Sequence, residues 1–292
     1  MPGGNLKAIR RRIGSVKNTQ KITRAMKLVA AARLRRAQEN ITRMRPYALQ
    51  TLKLLSSLAA RAGEDEALHP LLARREPKNV MLVVLTSDRG LAGSFNASVS
   101  KAALRFYQEQ VAAGHNVTVG AVGRKGRDFL RRRGVTVKHV FSNIYEDLKY
   151  EKANVIGETV VTEYAAHDLD ACYLVYNEFK SAITQKVVVE PLLPIQPMVV
   201  PADETAVDFI YEPSQRVILD TLLPLYVNVE IYRALLESVA SEHGARMTAM
   251  DNATRNAKDM IGRLTLRANR ARQAAITTEL MEIISGAESL KG

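Results

Sequence analysis

The residues best placed to do chemistry lie in the loop SDRGLAGSFN, Ser87 to Asn96. This loop follows an apolar segment predicted to be a strand and precedes a predicted helix, which is where an α/β sheet presents its ligand-binding loops. Gly90 and Gly93 leave space for a phosphate group at the N-terminus of that helix. The pattern therefore raises nucleotide binding as a hypothesis.

Two absences in the same loop argue against nucleotide binding. The loop lacks the lysine that ends a Walker A motif, and it lacks the three-glycine dinucleotide fingerprint. The pattern favours a tight turn in which Ser94 or Asn96 caps the following helix. Asp88 and Arg89 are then expected to be exposed and available to a protein partner.

A second basic segment, GRKGRDFLRRRG from Gly123 to Gly134, has two interpretations. Its charge is compatible with nucleic acid, but Phe129 is its single aromatic residue, and binding sites for single strands interleave several. We therefore favour a short amphipathic helix that buries Phe129 and Leu130.

The titratable side chains do not assemble into a catalytic or metal site. No two of the five histidines have the spacing of metal ligands on one helix, and no nucleophile, base and acid combine into a catalytic site. The histidines are His69, His115, His139, His167 and His243. The lone cysteine, Cys172, excludes an intramolecular disulfide and is predicted to be buried in a strand. We expect no catalytic residue, no cofactor and no metal.

Composition and charge place these residues in a helix-rich chain with one basic element. The chain has 292 residues, 47% of them hydrophobic and 5% aromatic, which favours about two domains with aliphatic cores. Its net charge is +12, and residues 1–45 contain 13 basic residues against one acid, Glu39. A solvated helix face normally mixes both signs, so this element predicts an acidic partner surface. No apolar run is long enough to span a membrane, and the N-terminus lacks the apolar core of a signal peptide.

Both ends of the chain are predicted to be long helices with an apolar seam. Apolar residues recur at spacings of three and four, which is typical of coiled coils. Near the N-terminus they are Leu6, Ile9, Ile13, Val16, Ala30, Leu34, Ala37, Ile41, Met44, Leu49, Leu52, Leu55 and Leu58. Pro46 is expected to bend or divide this helix.

The C-terminal helix carries the matching seam. It runs through Val229, Tyr232, Leu236, Val239, His243, Arg246, Met250, Ala253, Ala257, Met260, Leu264, Ala268, Ala271 and Ala275. Because a long seam needs a facing seam, residues 1–60 and 214–292 are predicted to form an antiparallel coiled coil. We expect its inter-helix positions to include Ile9, Ile13, Val16, Met250, Ala257, Leu264 and Ala271.

The middle of the chain, residues 77–213, is predicted to be an α/β (Rossmann-like) domain. Strands are predicted at 80–85, 116–122, 135–141, 171–176 and 185–195, with helices at about 96–112, 124–133 and 151–167. The fold class is therefore α/β, with an antiparallel coiled coil of long N- and C-terminal helices and a central α/β domain.

Three segments closely resemble the gamma subunit of the rotary ATP synthases. They are IRRRIGSVKNTQKITRAMKLVAAARLRRAQ (Ile9 to Gln38), SDRGLAGSFN, and ARMTAMDNATRNAKDMIGRLTLRANRARQAAITTELMEIISGAESL (Ala245 to Leu290). The resemblance runs from end to end. It departs at Ala92, where many relatives have cysteine, and in lacking the two-cysteine regulatory insertion of chloroplast forms.

The resemblance implies a role as a central rotor shaft that is not itself catalytic. Such a shaft couples proton flow through the membrane sector to ATP synthesis or hydrolysis on the beta subunits. The implied partners are three alpha and three beta subunits, the epsilon subunit and the c-ring, with no nucleic acid and with membrane contact only through the complex. The implied location is the cytoplasmic face of a bacterial cell membrane, as a peripheral protein.

The resemblance also implies which residues contact the sleeve of alpha and beta subunits. The Met26, Val29 and Ala30 side of the first helix is expected to pack on the C-terminal helix, with the basic residues facing acidic segments of the beta subunits. The implied contacts are Arg24, Met26, Lys27, Arg33, Arg35, Arg36, Asp88, Arg89, Ala92, Arg272, Gln273, Thr277, Glu279 and Glu282.

Two other functions remain open at this point. One is a basic coiled-coil protein that binds nucleic acid, whose affinity would fall steeply with salt. The other is a nucleotide-dependent α/β enzyme with helical extensions, which equilibrium binding of ATP would reveal.

Overall fold

The computed structural model describes residues 2–61, 69–73, 75–196 and 215–289. Two helices dominate it, α1 (Pro2–Arg61) and α5 (Gln215–Ser289). Between them the described residues form a short 3-10 helix (Pro70–Leu72), five strands and three α-helices: β1 (Asn79–Leu85), α2 (Phe95–Ala112), β2 (Asn116–Val122), α3 (Arg124–Arg131), β3 (Val137–Phe141), α4 (Tyr150–Ala165), β4 (Ala171–Phe179) and β5 (Gln185–Leu193). The chain divides into two compact units, one containing Met1–Ala30 with Met247–Gly292, the other Ala31–Arg246.

The first unit is an antiparallel pair of helices. Ile9 packs with Leu264 and Ala268, and Leu6, Ile13, Val16 and Ala271 surround this cluster. Farther along α1, the Thr23 and Thr254 hydroxyls are 2.8 Å apart, and the Lys27 ammonium pairs with Asp251. The partners in α5 move back along the sequence as α1 advances, so the two helices run in opposite directions. The predicted antiparallel coiled coil is confirmed.

The seam in this unit differs from the predicted one at two positions. Val29 is exposed although it was expected to pack on the C-terminal helix, whereas Ala30 is buried as expected. Met260 is also exposed, and its neighbour Ile261 is partly buried instead. At both positions a neighbouring residue occupies the seam in place of the predicted one. Ala30 does so instead of Val29, and Ile261 instead of Met260. Met250 and Ala257 are buried.

The second unit contains a five-stranded sheet in the order β3-β2-β1-β4-β5. The first four strands are parallel and β5 pairs antiparallel with β4. Alternate residues of β1 enter two different cores because successive side chains of a strand point to opposite faces. Leu82 and Val84 pack beneath α2 and α3, whereas Met81, Val83 and Leu85 pack with α4, α5 and Leu55 of α1. The α/β fold class is confirmed.

Proline does not divide the long helices. Pro46 lies inside α1 and Pro224 inside α5, and both helices continue through them. Beyond Pro46, the seam follows Ala48, Thr51 and Leu55, which are buried, rather than Leu49, which is exposed. The strict three-four spacing from Ile41 and Met44 leads to these positions. Leu49 and Leu52 suggested a register one residue too late, whereas Leu55 lies on the seam as predicted. Leu58 lies outside the residues whose side chains the structure describes.

Measured by hydropathy, none of the helices in the described part of the chain could cross a membrane.

Candidate functional site

The loop after β1 is held by its own polar side chains. The Asn96 Oδ1 accepts the backbone N–H of Ser87 at 2.9 Å, and Asn96 Nδ2 donates to the carbonyl of Arg89 at 3.2 Å. Asn96 therefore closes the loop and does not cap α2. Ser94 occupies the N-cap position but makes no capping hydrogen bond with its side chain. The prediction of a tight turn describes the loop well, but its proposed capping interactions are wrong.

Asp88 is not the free carboxylate that the sequence suggested. Its side chain is 22% exposed, and Oδ1 accepts the backbone N–H of Arg124 at 3.0 Å, at the first residue of α3. An aspartate in this position compensates the positive end of the helix dipole. Ala92 is 2% exposed and packs with Phe95 and Ala245. The loop thus presents Arg89 and Leu91 to solvent, and Leu91 is 65% exposed with a left-handed backbone, φ 63°.

The N-terminus of α3 has its first N–H groups bonded within the protein. In addition to the bond from Arg124 to Asp88, Lys125 donates to the Ser87 carbonyl at 3.1 Å. Gly126 donates to the Thr86 hydroxyl at 2.8 Å. Free N–H groups at a helix N-terminus bind phosphates, and here protein oxygens already accept these hydrogen bonds. This arrangement disfavours a bound phosphate at the second βα turn.

The basic face of α1 is exposed at four of its predicted contact positions: Arg24, Arg33, Arg35 and Arg36. Arg35 also forms an exposed ion pair with Glu39 at 3.2 Å. Lys27 differs, because it pairs with Asp251, which also pairs with Arg255. These partners hold the pKa of Asp251 below its usual range, first through the hydrogen bond from Lys27. Lys27 therefore belongs partly to the helix pair, and Met26 beside it is half-buried.

The end of α5 is exposed on all sides. All residues at 276–288 are exposed, and so are the predicted contacts Arg272, Gln273, Thr277, Glu279 and Glu282. The same stretch exposes apolar side chains that sequence reasoning did not select: Ile276, Leu280, Met281, Ile283 and Ile284. They lie off the seam, whose three-four spacing leads from Ala275 to the polar Thr278 and Glu282, so the seam gave no signal for them. An exposed apolar helix end of this kind indicates a protein-binding surface.

Comparison with known proteins decides the family. A family model described as ATP synthase matches residues 5–290. The chain is 53% identical to the ATP synthase gamma chain of Geobacter sp. (strain M21) over 288 residues, covering 99% of both proteins. It is 51% identical to the gamma chain of Anaeromyxobacter sp. (strain Fw109-5), covering 98% of this chain and 99% of that one.

The chain belongs to the ATP synthase gamma chain family. Among solved structures, the central stalk and c-ring of the Tetrahymena thermophila mitochondrial ATP synthase matches with a TM-score of 0.59 and 28% identity, covering 80% of this chain and 99% of that one. A chain of the Euglena gracilis mitochondrial enzyme matches with a TM-score of 0.68 and 19% identity, covering 99% and 95%, and shares the fold. The resemblance inferred from the three sequence segments is confirmed.

The other candidates for chemistry in this chain have structural roles. Leu130 is buried and Phe129 is half-buried beneath the Arg133 guanidinium, 5.3 Å from the ring centroid, as expected for an amphipathic α3. Cys172 is buried in β4, and burial raises the pKa of its thiol. The described residues contain no cluster of three or more side chains able to hold a metal ion.

The pKa of His243, which lies in α5, is lowered strongly. Burial, and then the charges of Arg246 and Arg33, lower its pKa to about 4. Arg246 Nη1 is 3.4 Å from His243 Nδ1. Glu242 on the same turn pairs with Arg246 at 2.7 Å, and burial raises the pKa of its carboxyl. His243 is therefore neutral in the folded chain at neutral pH.

This shift predicts an acid-dependent loss of stability. Between about pH 6.5 and pH 4 the unfolded chain binds a proton at His243 and the folded chain does not, so the free energy of unfolding falls as pH falls. The shift corresponds to roughly 3 kcal/mol at most, and protonation of Glu242 acts in the opposite direction. We expect His243→Gln to flatten the pH dependence of urea unfolding between these values. His115→Gln, at a partly exposed position, is the matched control, and equal slopes in all three proteins would contradict the assignment.

Proposed function

We propose that this chain is the central rotor shaft of an ATP synthase, coupling ion flow through a membrane sector to ATP synthesis or hydrolysis on the beta subunits. The observation that carries the proposal is its family membership over the whole length together with the antiparallel helix pair. The two helices, of 60 and 75 residues, provide an elongated element around which catalytic subunits can assemble. Nothing in the comparisons supports the nucleic-acid-binding alternative.

We further propose that the shaft binds no nucleotide and catalyses no reaction by itself. The hydrogen bonds at the N-terminus of α3 support this for the second βα turn, because Asp88, Ser87 and Thr86 accept the N–H groups that a phosphate at that helix would need. The α/β domain then serves as a body attached to the shaft. Equilibrium binding of ATP to the isolated chain would contradict this part of the proposal.

The proposed partners are three alpha and three beta subunits around the helix pair, with the epsilon subunit and the c-ring beyond them. The exposed arginines of α1 and the exposed end of α5 are the proposed contacts with the alpha and beta sleeve. Exposed ion pairs contribute only about 0 to 1 kcal/mol each, which suits contacts that must break and form again during rotation. The proposed location is the cytoplasmic face of a bacterial cell membrane, reached through the complex.

Reconstitution with the alpha and beta subunits tests the proposal. We expect the chain to form one complex with three copies of each subunit and to raise their ATP hydrolysis well above that of the same subunits alone. The complex should also bind epsilon and a c-ring. A chain that stays separate from alpha and beta subunits in gel filtration, without effect on hydrolysis, would refute it.

Charge reversal on the basic face should weaken this assembly. Changing two of Arg33, Arg35 and Arg36 to glutamate places negative charge against the proposed acidic sleeve, and salt screens such interactions. We therefore expect a larger loss of affinity at low salt than at high salt, measured by titration of labelled chain with the alpha and beta subunits. Charge reversal at Arg131 and Arg132, next to the end of α3, provides the control. Salt-independent assembly in the α1 variant would argue against a basic contact surface.

A further inference from the structure

Six consecutive residues of α5, Ser241 to Arg246, are buried on every side of the helix, at the end of a longer stretch that begins at Ala234 and is interrupted by the half-buried Val239. A helix that packs on one neighbour buries a stripe and exposes the rest. Beyond Met247 α5 follows that rule, with only seam positions buried. The turn at 241–246 departs from it, so other elements of the Ala31–Arg246 unit must surround the helix here. We call this segment the collar turn.

The turn between β4 and β5 touches the collar turn at Gly244. A side chain there would start 3.1 Å from the Ala182 carbonyl oxygen and 3.2 Å from its Cα. Real Cβ atoms rarely make contacts this close, so glycine lets the backbone of the β4–β5 turn approach α5. One helical turn earlier, the buried Ser241 hydroxyl donates to the carbonyl of Asn177 at 3.0 Å. The end of β4 and the following turn therefore hold one side of the helix.

The loop after β1 holds the collar turn as well. Arg246 Nη2 donates to the Gly90 carbonyl at 3.1 Å, and Ala245 packs against Ala92 and Phe95. The two sets of contacts are joined, because Asn177 Nδ2 donates to the Phe95 carbonyl at 3.3 Å. The ends of β1 and β4, which are neighbours in the sheet, thus contact one segment of α5 about 9 Å long.

We propose that the collar turn is the grip by which the α/β domain turns α5, so that Ser241, Gly244 and their partners Asn177 and Ala182 are positioning residues for torque transfer. A helix held on one face can roll about its own axis, whereas a helix held on several faces cannot. Backbone carbonyls of the α/β domain take part in three of these contacts, so the grip follows the position of the sheet. The inference rests on the proposed function and adds to it one place where the α/β domain engages the shaft.

The experiment compares proton pumping with ATP hydrolysis in the full complex reconstituted into liposomes. Gly244→Val inserts a branched side chain between α5 and Ala182, Gly244→Ala a smaller one, and Ser241→Ala removes only the hydrogen bond to Asn177. Gly262→Ala is the matched control, because it lies in the same helix and nothing is within 4 Å of the added Cβ. Pumping and hydrolysis are measured on the same liposomes, so their ratio is independent of how much complex assembles.

A loosened grip lets the catalytic subunits turn the shaft helices with less motion reaching the α/β domain. We expect the ratio of pumping to hydrolysis to fall by about threefold or more in Gly244→Val, within the range for mutations in a coupling network. Gly244→Ala and Ser241→Ala should show smaller falls in the same direction, and Gly262→Ala none. If Gly244→Val does not assemble, the two milder variants decide the question.

An unchanged ratio in every assembled variant would overturn the grip. Purely structural damage would lower pumping and hydrolysis together and would also leave the ratio unchanged. The proposed function is tested separately in the same experiment, because it requires that ATP hydrolysis drive proton pumping in the complex with the wild-type chain. A coupled wild type with equally coupled variants would leave the rotor role standing and remove only the grip.

Discussion

A disulfide between the loop after β1 and an acidic segment of a beta subunit is expected to stop multi-turnover ATP hydrolysis. Leu91→Cys is the chosen position because Leu91 is 65% exposed, whereas Ala92 beside it is buried. The only natural cysteine, Cys172, is buried, so the new thiol is the reactive one. The loop is bonded to α5 through Gly90 and Arg246, so it cannot swivel independently of that helix. A covalent bond from rotor to catalytic subunit should therefore block every turn after the first.

Reversibility separates this result from damage. Reduction should restore the hydrolysis rate, and Leu91→Cys without a cysteine on the beta subunit should keep it under oxidising conditions. The extent of cross-linking is measured on the same samples by non-reducing electrophoresis. Full hydrolysis with the cross-link complete would show that this loop is not part of a body that turns relative to the beta subunits.

Gly123→Ala is expected to destabilise the α/β domain by about 3 to 5 kcal/mol, from left-handed strain and overpacking together. Gly123 has φ 88°, and a Cβ there would lie 2.1 Å from the Thr86 carbonyl oxygen. That oxygen belongs to the backbone after β1, so it cannot move aside as a flexible side chain could. The midpoint of urea unfolding, followed by circular dichroism, measures the change.

Gly134→Ala is the control that separates strain from collision. Gly134 also has a left-handed backbone, φ 78°, but nothing lies within 4 Å of the added Cβ. We expect it to cost only about 1 to 2 kcal/mol, the strain of the left-handed backbone. Equal losses of stability in the two variants would mean that the close approach of Gly123 to Thr86 is not the reason why this position needs glycine.

Much of the fold could be predicted from periodicity. Buried strands such as β1 have continuous apolar runs, and the α2 and α4 boundaries fall within two residues of those predicted. The antiparallel helix pair was predicted from two apolar seams, because each seam needs a facing helix to be buried. These features depend on the hydrophobic pattern, which a single sequence displays.

Sequence patterns predicted the structure less well where a polar side chain could bond to any of several backbone groups. Asp88 and Asn96 were expected to face solvent and to cap α2, but they bond to Arg124 on α3 and to Ser87 in the loop. Such choices depend on which strand end lies beside which helix, and spacing along the chain does not encode this. The exposure of Val29 and Leu49 has a related cause, because the small residues Ala30 and Ala48 one position away occupy the seam, whereas Ile261 takes the place of Met260.

The burial of the collar turn was also difficult to predict from the sequence. Ser241, Gly244 and Ala245 are small residues, but their neighbours His243 and Arg246 appeared as polar interruptions of a seam. Their burial follows from two segments of the α/β domain that meet around α5, and each is more than 60 residues away along the chain. Long-range packing of this kind has no local signal.

Rotation of the chain inside its complex is the decisive test of the rotor proposal. Ile183→Cys places a thiol on the β4–β5 turn, where the side chain is 80% exposed, and a probe attached there can be followed with the beta subunits fixed to a surface. The rotor proposal predicts that the probe turns continuously in one direction while ATP is hydrolysed, and that it stops when ATP is removed. Hydrolysis at the normal rate with a stationary probe would contradict the proposal.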